Sequence, residues 1–240
     1  MTAGVRIWSD LNSKKLMETE FIYWRHPSLP GIKVEEVSGG YGNASVWREM
    51  AMQIYCENGR DGYREVGHFS NGAPFLYSEC SRISVTHTSG LLAVATLPRT
   101  PEADLGTFSE RTALGIDAER LDRAQVVRLR PRFLSEEELA LVDAEDVAAN
   151  ITAWTAKEAL YKAALTPGMD FRSQLRIIQL PRPSGDITDP GAFGKAEIIF
   201  PSGDKAEMHL YSYLSEGCCV TLAYSPKTAT WKKATPTDKK

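Results

Sequence analysis

Gly115-Ile116-Asp117-Ala118-Glu119 is the most informative stretch of this sequence. Residues 112–117 predict a short strand, and side chains alternate along a strand, so Asp117 and Glu119 point to the same side. Two carboxylates held so close repel each other unless a cation lies between them. A small set of hard oxygen ligands suits Mg²⁺, which usually keeps waters and substrate phosphates in its shell. Taken alone, the acidic pair is also typical of a solvated strand end.

A second informative stretch is Trp154-Thr155-Ala156-Lys157-Glu158-Ala159-Leu160-Tyr161-Lys162, which predicts a helix. Trp154, Glu158 and Lys162 recur at every fourth position and therefore share one face. In isolation this pattern is typical of a buried tryptophan beside a surface ion pair worth about 0.3–0.5 kcal/mol. Combined with the first stretch, it adds a third carboxylate and two lysines, a set that suits a metal-bound pyrophosphate.

Periodicity and turn residues predict the elements of the first half of the chain. The first forty residues predict irregular strands and loops. Apolar residues at helical spacing predict a helix over residues 45–57. The apolar stretches 82–87 and 91–97 flank Ser89-Gly90 and predict a hairpin.

The second half is predicted to contain two helices followed by strands. Ser135 and Glu138 form the pattern of a capping box, which begins the first of these helices. Asn150 or Thr152 can cap the next helix, which runs to about residue 165. The predicted strands cover residues 174–180, 195–200, 205–214 and 218–224.

The hairpin at residues 82–97 has a weak counterpart later in the chain. Residues 210–214, the turn at 215–217 and residues 218–226 repeat the same plan. Two unrelated hairpins can look this similar by chance. The alternative interpretation is that the chain contains two related half-domains with a site where they meet.

The two charged stretches together resemble the paired signature of the 4'-phosphopantetheinyl transferase superfamily. That signature reads G-[IV]-D-x-E followed by W-[ST]-x-K-E-[AS]-x-x-K, and the chain matches it at the defining positions. Between them, Phe133-Leu134-Ser135-Glu136-Glu137-Glu138 resembles the family segment F-[FL]-S-x-x-E.

Two upstream segments resemble the long, Sfp-type branch of this family. Ile83-Ser84-Val85-Thr86-His87-Thr88 is similar to I-S-[IV]-S-H-[ST], with Thr86 in place of the usual serine. Asn71-Gly72-Ala73-Pro74-Phe75-Leu76 is similar to N-G-K-P-[YF]-[LI]. Ala73 replaces the customary basic residue, so one phosphate contact of the family is missing.

The resemblance implies an activity and roles for individual residues. A member of the family moves the phosphopantetheine arm of coenzyme A to a serine of an apo acyl or peptidyl carrier protein and releases adenosine 3',5'-bisphosphate. It implies that three acidic residues bind Mg²⁺ and that a larger set binds coenzyme A. The implied metal ligands are Asp117, Glu119 and Glu158; the implied catalytic residues are Glu158, Lys162 and Asp117; the implied coenzyme A contacts are His87, Thr86, Lys157, Lys162 and Arg48.

The resemblance also implies an α+β fold. We expect two similar α+β half-domains in a pseudo-twofold arrangement, each a small antiparallel sheet packed with helices. The expected divisions are an N-terminal half-domain over residues 1–106, a C-terminal half-domain with the metal site over 107–226, and a flexible tail over 227–240. Because one chain would hold both halves, we expect a monomer.

Composition excludes several classes of protein. The net charge of −3 argues against a general nucleic-acid binder. No apolar run is long enough to span a membrane, and the N-terminus lacks the apolar core of a signal peptide. The four cysteines form no C-x-x-C pair, so a zinc site or a disulfide framework is not expected. We therefore expect a cytoplasmic protein without nucleic-acid or membrane partners.

A dense run of arginines follows the acidic pair and has two interpretations. It is either a solvated face or a dock for acidic carrier proteins, since opposite charges speed encounter. The run contains Arg120, Arg123, Arg128, Arg130 and Arg132.

Two other functions compete with the transferase. The first is an inactive module of the same fold that binds coenzyme A or carrier proteins, and the intact acidic set argues against it. The second is a different Mg²⁺-dependent phosphate enzyme, such as a nucleotide hydrolase. The sequence contains no glycine-rich phosphate loop or Walker pattern, which argues against the second.

Overall fold

The computed structural model describes residues 3–5, 21–27, 29, 31–40, 43–58, 64–68, 71–77, 82–97 and 113–225. Within these ranges the chain forms two antiparallel sheets packed against helices, which confirms the predicted α+β class. No helix of the described part combines the length and apolar character needed to cross a membrane.

The first sheet has seven strands in the order β1-β2-β3-β7-β6-β5-β4, and one helix, α1, packs against it. The helix covers Ala44–Glu57 and begins at the side-chain cap of Asn43, which confirms the predicted helix. The strands are β1 (Ala3–Val5), β2 (Phe21–His26), β3 (Lys33–Ser38), β4 (Val66–His68), β5 (Pro74–Leu76), β6 (Arg82–Thr88) and β7 (Leu91–Leu97).

The second sheet has five strands in the order β8-β12-β11-β10-β9 and carries three helices. The strands are β8 (Leu114–Arg120), β9 (Leu175–Gln179), β10 (Phe193–Ile199), β11 (Lys205–Ser215) and β12 (Cys218–Tyr224). The helices are α2 (Gln125–Phe133), α3 (Glu136–Leu141) and α4 (Val147–Ala164).

The two sheets repeat one plan, which supports the prediction of two similar half-domains. In the first, β3 is followed by α1 and then by four strands, the last of which pairs back with β3. In the second, β8 is followed by α2–α4 and then by four strands, the last of which pairs back with β8. The predicted boundary at residues 106 and 107 and the predicted tail at 227–240 lie outside the described residues.

Three apolar clusters hold the elements in layers. Helix α1 packs on one face of the first sheet, with Ile83 and Val94 among the strand residues that it covers. The other face of that sheet meets the second sheet, where Ala93 and Ile116 belong to one buried cluster. Helix α4 packs on the far face of the second sheet. Strand β8 therefore presents alternate residues to the first sheet and to α4.

The second half departs from the sequence prediction at two helices. The capping box of Ser135 and Glu138 is present, but α4 begins at Asp146 rather than at Asn150 or Thr152. The Asp146 carboxylate accepts the Ala149 N–H at 2.9 Å, whereas Asn150 lies inside the helix. Helix α2 was not predicted, because its arginines and an internal proline hide its apolar face.

Candidate functional site

The site forms where α4 crosses β8, and a glycine permits the close approach. A Cβ atom on Gly115 would lie 1.9 Å from the Ala159 carbonyl oxygen and 2.8 Å from the Ala163 nitrogen. No side chain fits there, so the helix and the strand come together at this residue. The first position of the acidic motif is thus a packing requirement, and it brings Glu158 and Lys162 opposite the carboxylates of β8.

Asp117 is buried at the centre of this crossing. Its Oδ1 accepts a hydrogen bond from the Thr86 hydroxyl at 3.0 Å and pairs with the Lys162 ammonium at 2.8 Å. Burial raises the pKa of Asp117, while the positive charge of Lys162 acts to lower it. The aspartate therefore links the two sheets to α4.

Glu158 lies half-buried beside the same strand. Burial raises the pKa of the Glu158 carboxyl, the negative charge of Asp117 raises it further, and Glu119 adds a smaller effect of the same sign. Among the described residues, no side-chain hydrogen bond or ion pair engages Glu158. Two elements distant in sequence thus bring three carboxylates close enough to repel one another.

Both carboxylate oxygens of Glu119 accept hydrogen bonds or an ion pair. Its Oε1 accepts the Arg120 N–H at 3.0 Å and the Thr88 hydroxyl at 3.5 Å. Its Oε2 forms an ion pair with Arg123, in the turn that follows β8. In this arrangement Glu119 faces a guanidinium.

The three carboxylates are suitable ligands for a divalent cation, but their side chains are not arranged around a common point. Carboxylates are the donors that Mg²⁺ prefers, and, in addition to burial, the negative charges of Asp117 and Glu119 raise the pKa of Glu158. Within the described ranges, however, no group of three acidic, histidine or cysteine side chains is arranged to coordinate a metal. Asp117 and Glu119 instead pair with Lys162 and Arg123. The three carboxylates fit the ion once Glu119 no longer pairs with Arg123.

Lys162 reaches the junction of the two halves. Its ammonium donates to the Ile116 carbonyl at 2.9 Å and to the Val85 carbonyl at 3.3 Å, in addition to Asp117. The side chain remains 30% exposed. A cation is therefore fixed at the edge of the cleft, where an anionic ligand can approach it.

Lys157 does not reach this cleft, which contradicts its predicted contact with pyrophosphate. The residue is fully buried, and its Nζ lies 2.6 and 2.7 Å from the two carboxylate oxygens of Glu138. It also donates to the carbonyls of Phe171, at 2.7 Å, and of Leu175. These acceptors use all the protons of the ammonium group, so its role is structural.

Strand β6 divides the predicted coenzyme A contacts between its two faces. Ser84 and Thr86 point towards β8, where their hydroxyls accept the N–H groups of Ile116 and Ala118 at 3.0 and 3.1 Å. His87 alternates to the other face, on which α1 packs, and it is exposed.

Thr86 contacts Asp117, but among the described residues two other predicted coenzyme A contacts, His87 and Arg48, do not pair with the three carboxylates. Arg48 is an exposed residue of α1. Within the described part of the chain, no hydrogen bond or ion pair joins His87 or Arg48 to the three acidic residues.

A cavity of about 310 Å³ opens between the half-domains beside Lys162. Asn71, Ala73, Ser84 and Tyr161 are among the residues that line it. The Asn71 amide also donates to the Leu165 carbonyl at 3.2 Å, which ties the segment 71–74 to the end of α4. The cavity adjoins the acidic cluster and has room for part of an elongated ligand.

Residues 113–205 match the family model of the 4'-phosphopantetheinyl transferase superfamily. The resemblance predicted from the motifs is thereby confirmed for this segment, which contains β8, α4 and all three acidic residues. The match supports phosphopantetheinyl transfer as the general activity, with coenzyme A and a carrier protein as partners. The segments that suggested the long branch lie outside it, so that assignment stays a prediction. No curated protein matches the chain.

Within the segment that matches this family model, the arginine run separates into three environments. Arg130 is buried and donates to the carbonyls of Leu139, at 2.9 Å, and of Val142. Arg120 and Arg123 are each paired with a carboxylate. The run is therefore not one solvated face, and the exposed arginines of α2 are Arg128 and Arg132.

Two features of the site were not predicted from the sequence. Tyr161 lines the cavity, and its position directly before Lys162 in the helix motif was an available signal. Arg82 is buried and donates to the Ala163 carbonyl at 2.9 Å, across the junction of the two halves. Nothing local in the sequence indicates that contact, because the two residues are far apart in the chain.

Proposed function

We propose that this protein transfers the 4'-phosphopantetheine moiety of coenzyme A to a serine of an apo acyl or peptidyl carrier protein in a Mg²⁺-dependent reaction. The released product is adenosine 3',5'-bisphosphate. The observation that carries the proposal is the meeting of Glu158 and Lys162 on α4 with Asp117 on β8, inside the segment that matches the family.

The reaction needs a proton acceptor for the carrier serine. The serine oxygen forms a bond to the β-phosphorus of the pyrophosphate, and the bond from that phosphorus to the bridging oxygen breaks. Glu158, directly or through a water that it orients, accepts the hydroxyl proton. Its half-buried carboxylate has no competing side-chain hydrogen bond in the described structure, which leaves it available for this step.

Lys162 is the residue that positions the pyrophosphate. Its ammonium is fixed by the Ile116 and Val85 carbonyls and is still partly exposed to the cleft. Because Asp117 is its third acceptor, a phosphate oxygen that takes the place of Asp117 contacts the ammonium as a point charge while the two carbonyls keep it in position. Phosphoryl transfer depends mainly on such positioning and on charge neutralisation.

Asp117, Glu119 and Glu158 would hold the metal ion. When bound, Mg²⁺ supplies neutralisation of the charge on the pyrophosphate and on the departing phosphate. The remaining coenzyme A contacts are proposed for Thr86, His87 and Arg48. Since both halves of the cleft come from one chain, a monomer contains the whole site.

Mass spectrometry of carrier proteins tests this function. The protein is mixed with coenzyme A, Mg²⁺ and a panel of apo-carriers from fatty-acid, polyketide and nonribosomal-peptide systems. We expect at least one carrier to gain the mass of the phosphopantetheine arm on its serine. If none is modified while coenzyme A or a carrier still binds, the protein is the inactive binding module instead.

A further inference from the structure

The ion pair between Glu119 and Arg123 occupies a carboxylate that the proposed reaction requires for its metal ion. Arg123 lies in the turn between β8 and α2, four residues after Glu119. Its guanidinium contacts Oε2, while the Arg120 N–H and the Thr88 hydroxyl occupy Oε1. Both oxygens of Glu119 are therefore engaged.

The two partners differ in their freedom to move. The Glu119 side chain is only 9% exposed and extends from a strand, whereas the Arg123 side chain is 43% exposed. The backbone around Arg123 is fixed by the bonds of its N–H to the Arg120 carbonyl and of its carbonyl to the Val126 N–H. The guanidinium can thus turn into solvent without any change in the fold.

Arg120 does not replace Arg123 in this contact. Its guanidinium forms a two-atom contact with Asp122, with nitrogen–oxygen distances of 3.1 and 2.8 Å. Asp122 thus pairs with Arg120, and among the described residues the ion pair of Glu119 is formed with Arg123.

A guanidinium and a divalent cation at the same carboxylate oxygen repel each other, so each weakens the binding of the other. We propose that Arg123 is a built-in counter-ion that competes with the metal ion for Glu119 and turns outward when the metal binds. This inference rests on the proposed function, because it requires Glu119 to be a metal ligand. Arg123 keeps the acidic cluster partly neutralised in the free protein and lowers its affinity for the metal.

Direct measurement of metal binding tests the role of Arg123 without any activity assay. Free Mn²⁺ is titrated against the full-length protein and followed by electron paramagnetic resonance, with and without coenzyme A. We expect Arg123→Gln to bind Mn²⁺ roughly two- to fivefold more tightly than the wild type, the range of one partly exposed ion pair. Arg123→Lys keeps the charge and should stay near the wild-type affinity.

Lys205→Gln is the matched control, because it removes one positive charge and one surface ion pair far along the chain. Lys205 pairs with Glu197 at 3.2 Å between β10 and β11. We expect its Mn²⁺ affinity to equal that of the wild type. A gain in affinity for Arg123→Gln alone cannot come from damage to the fold, since damage weakens binding.

Two results overturn the inference in distinguishable ways. Equal or weaker Mn²⁺ binding by Arg123→Gln, when the wild type binds the ion, removes the competition and leaves the proposed function intact. Absence of Mn²⁺ binding by all four proteins, with coenzyme A present, removes the metal site itself and with it the metal-dependent function.

Discussion

Glu138 on α3 and Lys157 on α4 form a buried ion pair, and α4 is also the helix that carries Glu158 and Lys162. The ammonium of Lys157 lies within 2.7 Å of both Glu138 oxygens, and Glu138 also accepts the Ile177 N–H at 2.5 Å. The pair joins α3, α4 and β9 at one point. Two lysines of one motif thus have different tasks, since one fixes the helix and the other faces the cleft.

Replacing the buried Lys157 should destabilise the protein, because Glu138 would remain as an unpaired buried charge. We expect Lys157→Met to lower the free energy of unfolding by about 3–5 kcal/mol, as measured by urea denaturation. Lys162→Met is the matched variant; its partly exposed side chain predicts a smaller loss of stability together with loss of transfer. If Lys157→Met kept the wild-type stability but bound coenzyme A poorly, the structural role would be refuted. Lys157 would then contact phosphate, as the family motif implied.

The different tasks of these lysines follow in part from the sequence. Trp154, Glu158 and Lys162 recur at every fourth residue, so their common face was predictable. Lys157 lies about 100° around the helix from Glu158 and therefore belongs to another face. The family motif had assigned both lysines to phosphate, and the identity of the buried partner, Glu138, depends on how α3 packs on α4.

Local rules predicted the elements better than the contacts between them. The capping box, helix α1 and the hairpin of β6 and β7 follow from residues close in sequence. The separation of His87 from Thr86 also follows from a local rule, the alternation of side chains along β6. The bond from Thr86 to Asp117, in contrast, joins two sheets. Such contacts depend on how one layer lies on the next, which no short pattern encodes.

The junction of the half-domains predicts a dependence of stability on pH. Glu36 on β3 is buried, and the Tyr213 and Ser215 hydroxyls donate to its two oxygens at 2.5 and 2.7 Å. Burial raises the pKa of Glu36 above its ordinary value of 4.5, and the charge of Glu216 adds to this effect. The folded state therefore holds the proton more tightly than the unfolded state. The stabilisation is complete below pH 4.5 and is lost as the pH rises through the raised pKa.

Glu36→Gln should remove this part of the pH dependence, because an amide keeps the shape but does not titrate. We expect the variant to lose less free energy of unfolding than the wild type between pH 5 and about pH 8, measured by urea denaturation at both values. Parallel pH curves for the two proteins would show that Glu36 is ionised throughout in the folded state.

The exposed arginines of α2 are the remaining candidates for carrier docking. Replacement of Arg128 and Arg132 with glutamate should raise the KM for an acidic carrier roughly tenfold or more, since like charges now meet. The KM for coenzyme A should stay within about twofold, because neither side chain is paired with the acidic cluster.

A charge-matched control for this docking test is the double replacement of Lys195 and Lys205, exposed residues of β10 and β11. Replacing them with glutamate changes the net charge equally at another surface. An identical rise in the carrier KM for both double variants would attribute the effect to overall charge and remove α2 as the dock.

The central claim is that transfer takes place where Glu158 meets Asp117, and the transfer rate of Glu158→Gln tests it most directly. The amide is isosteric but accepts no proton, so the single-turnover rate of arm transfer to an apo-carrier should fall by about 10²–10⁴-fold. The free energy of unfolding should change little, because the carboxylate makes no side-chain hydrogen bond in the described structure. A folded Glu158→Gln protein that modifies the carrier at the wild-type rate would contradict the account.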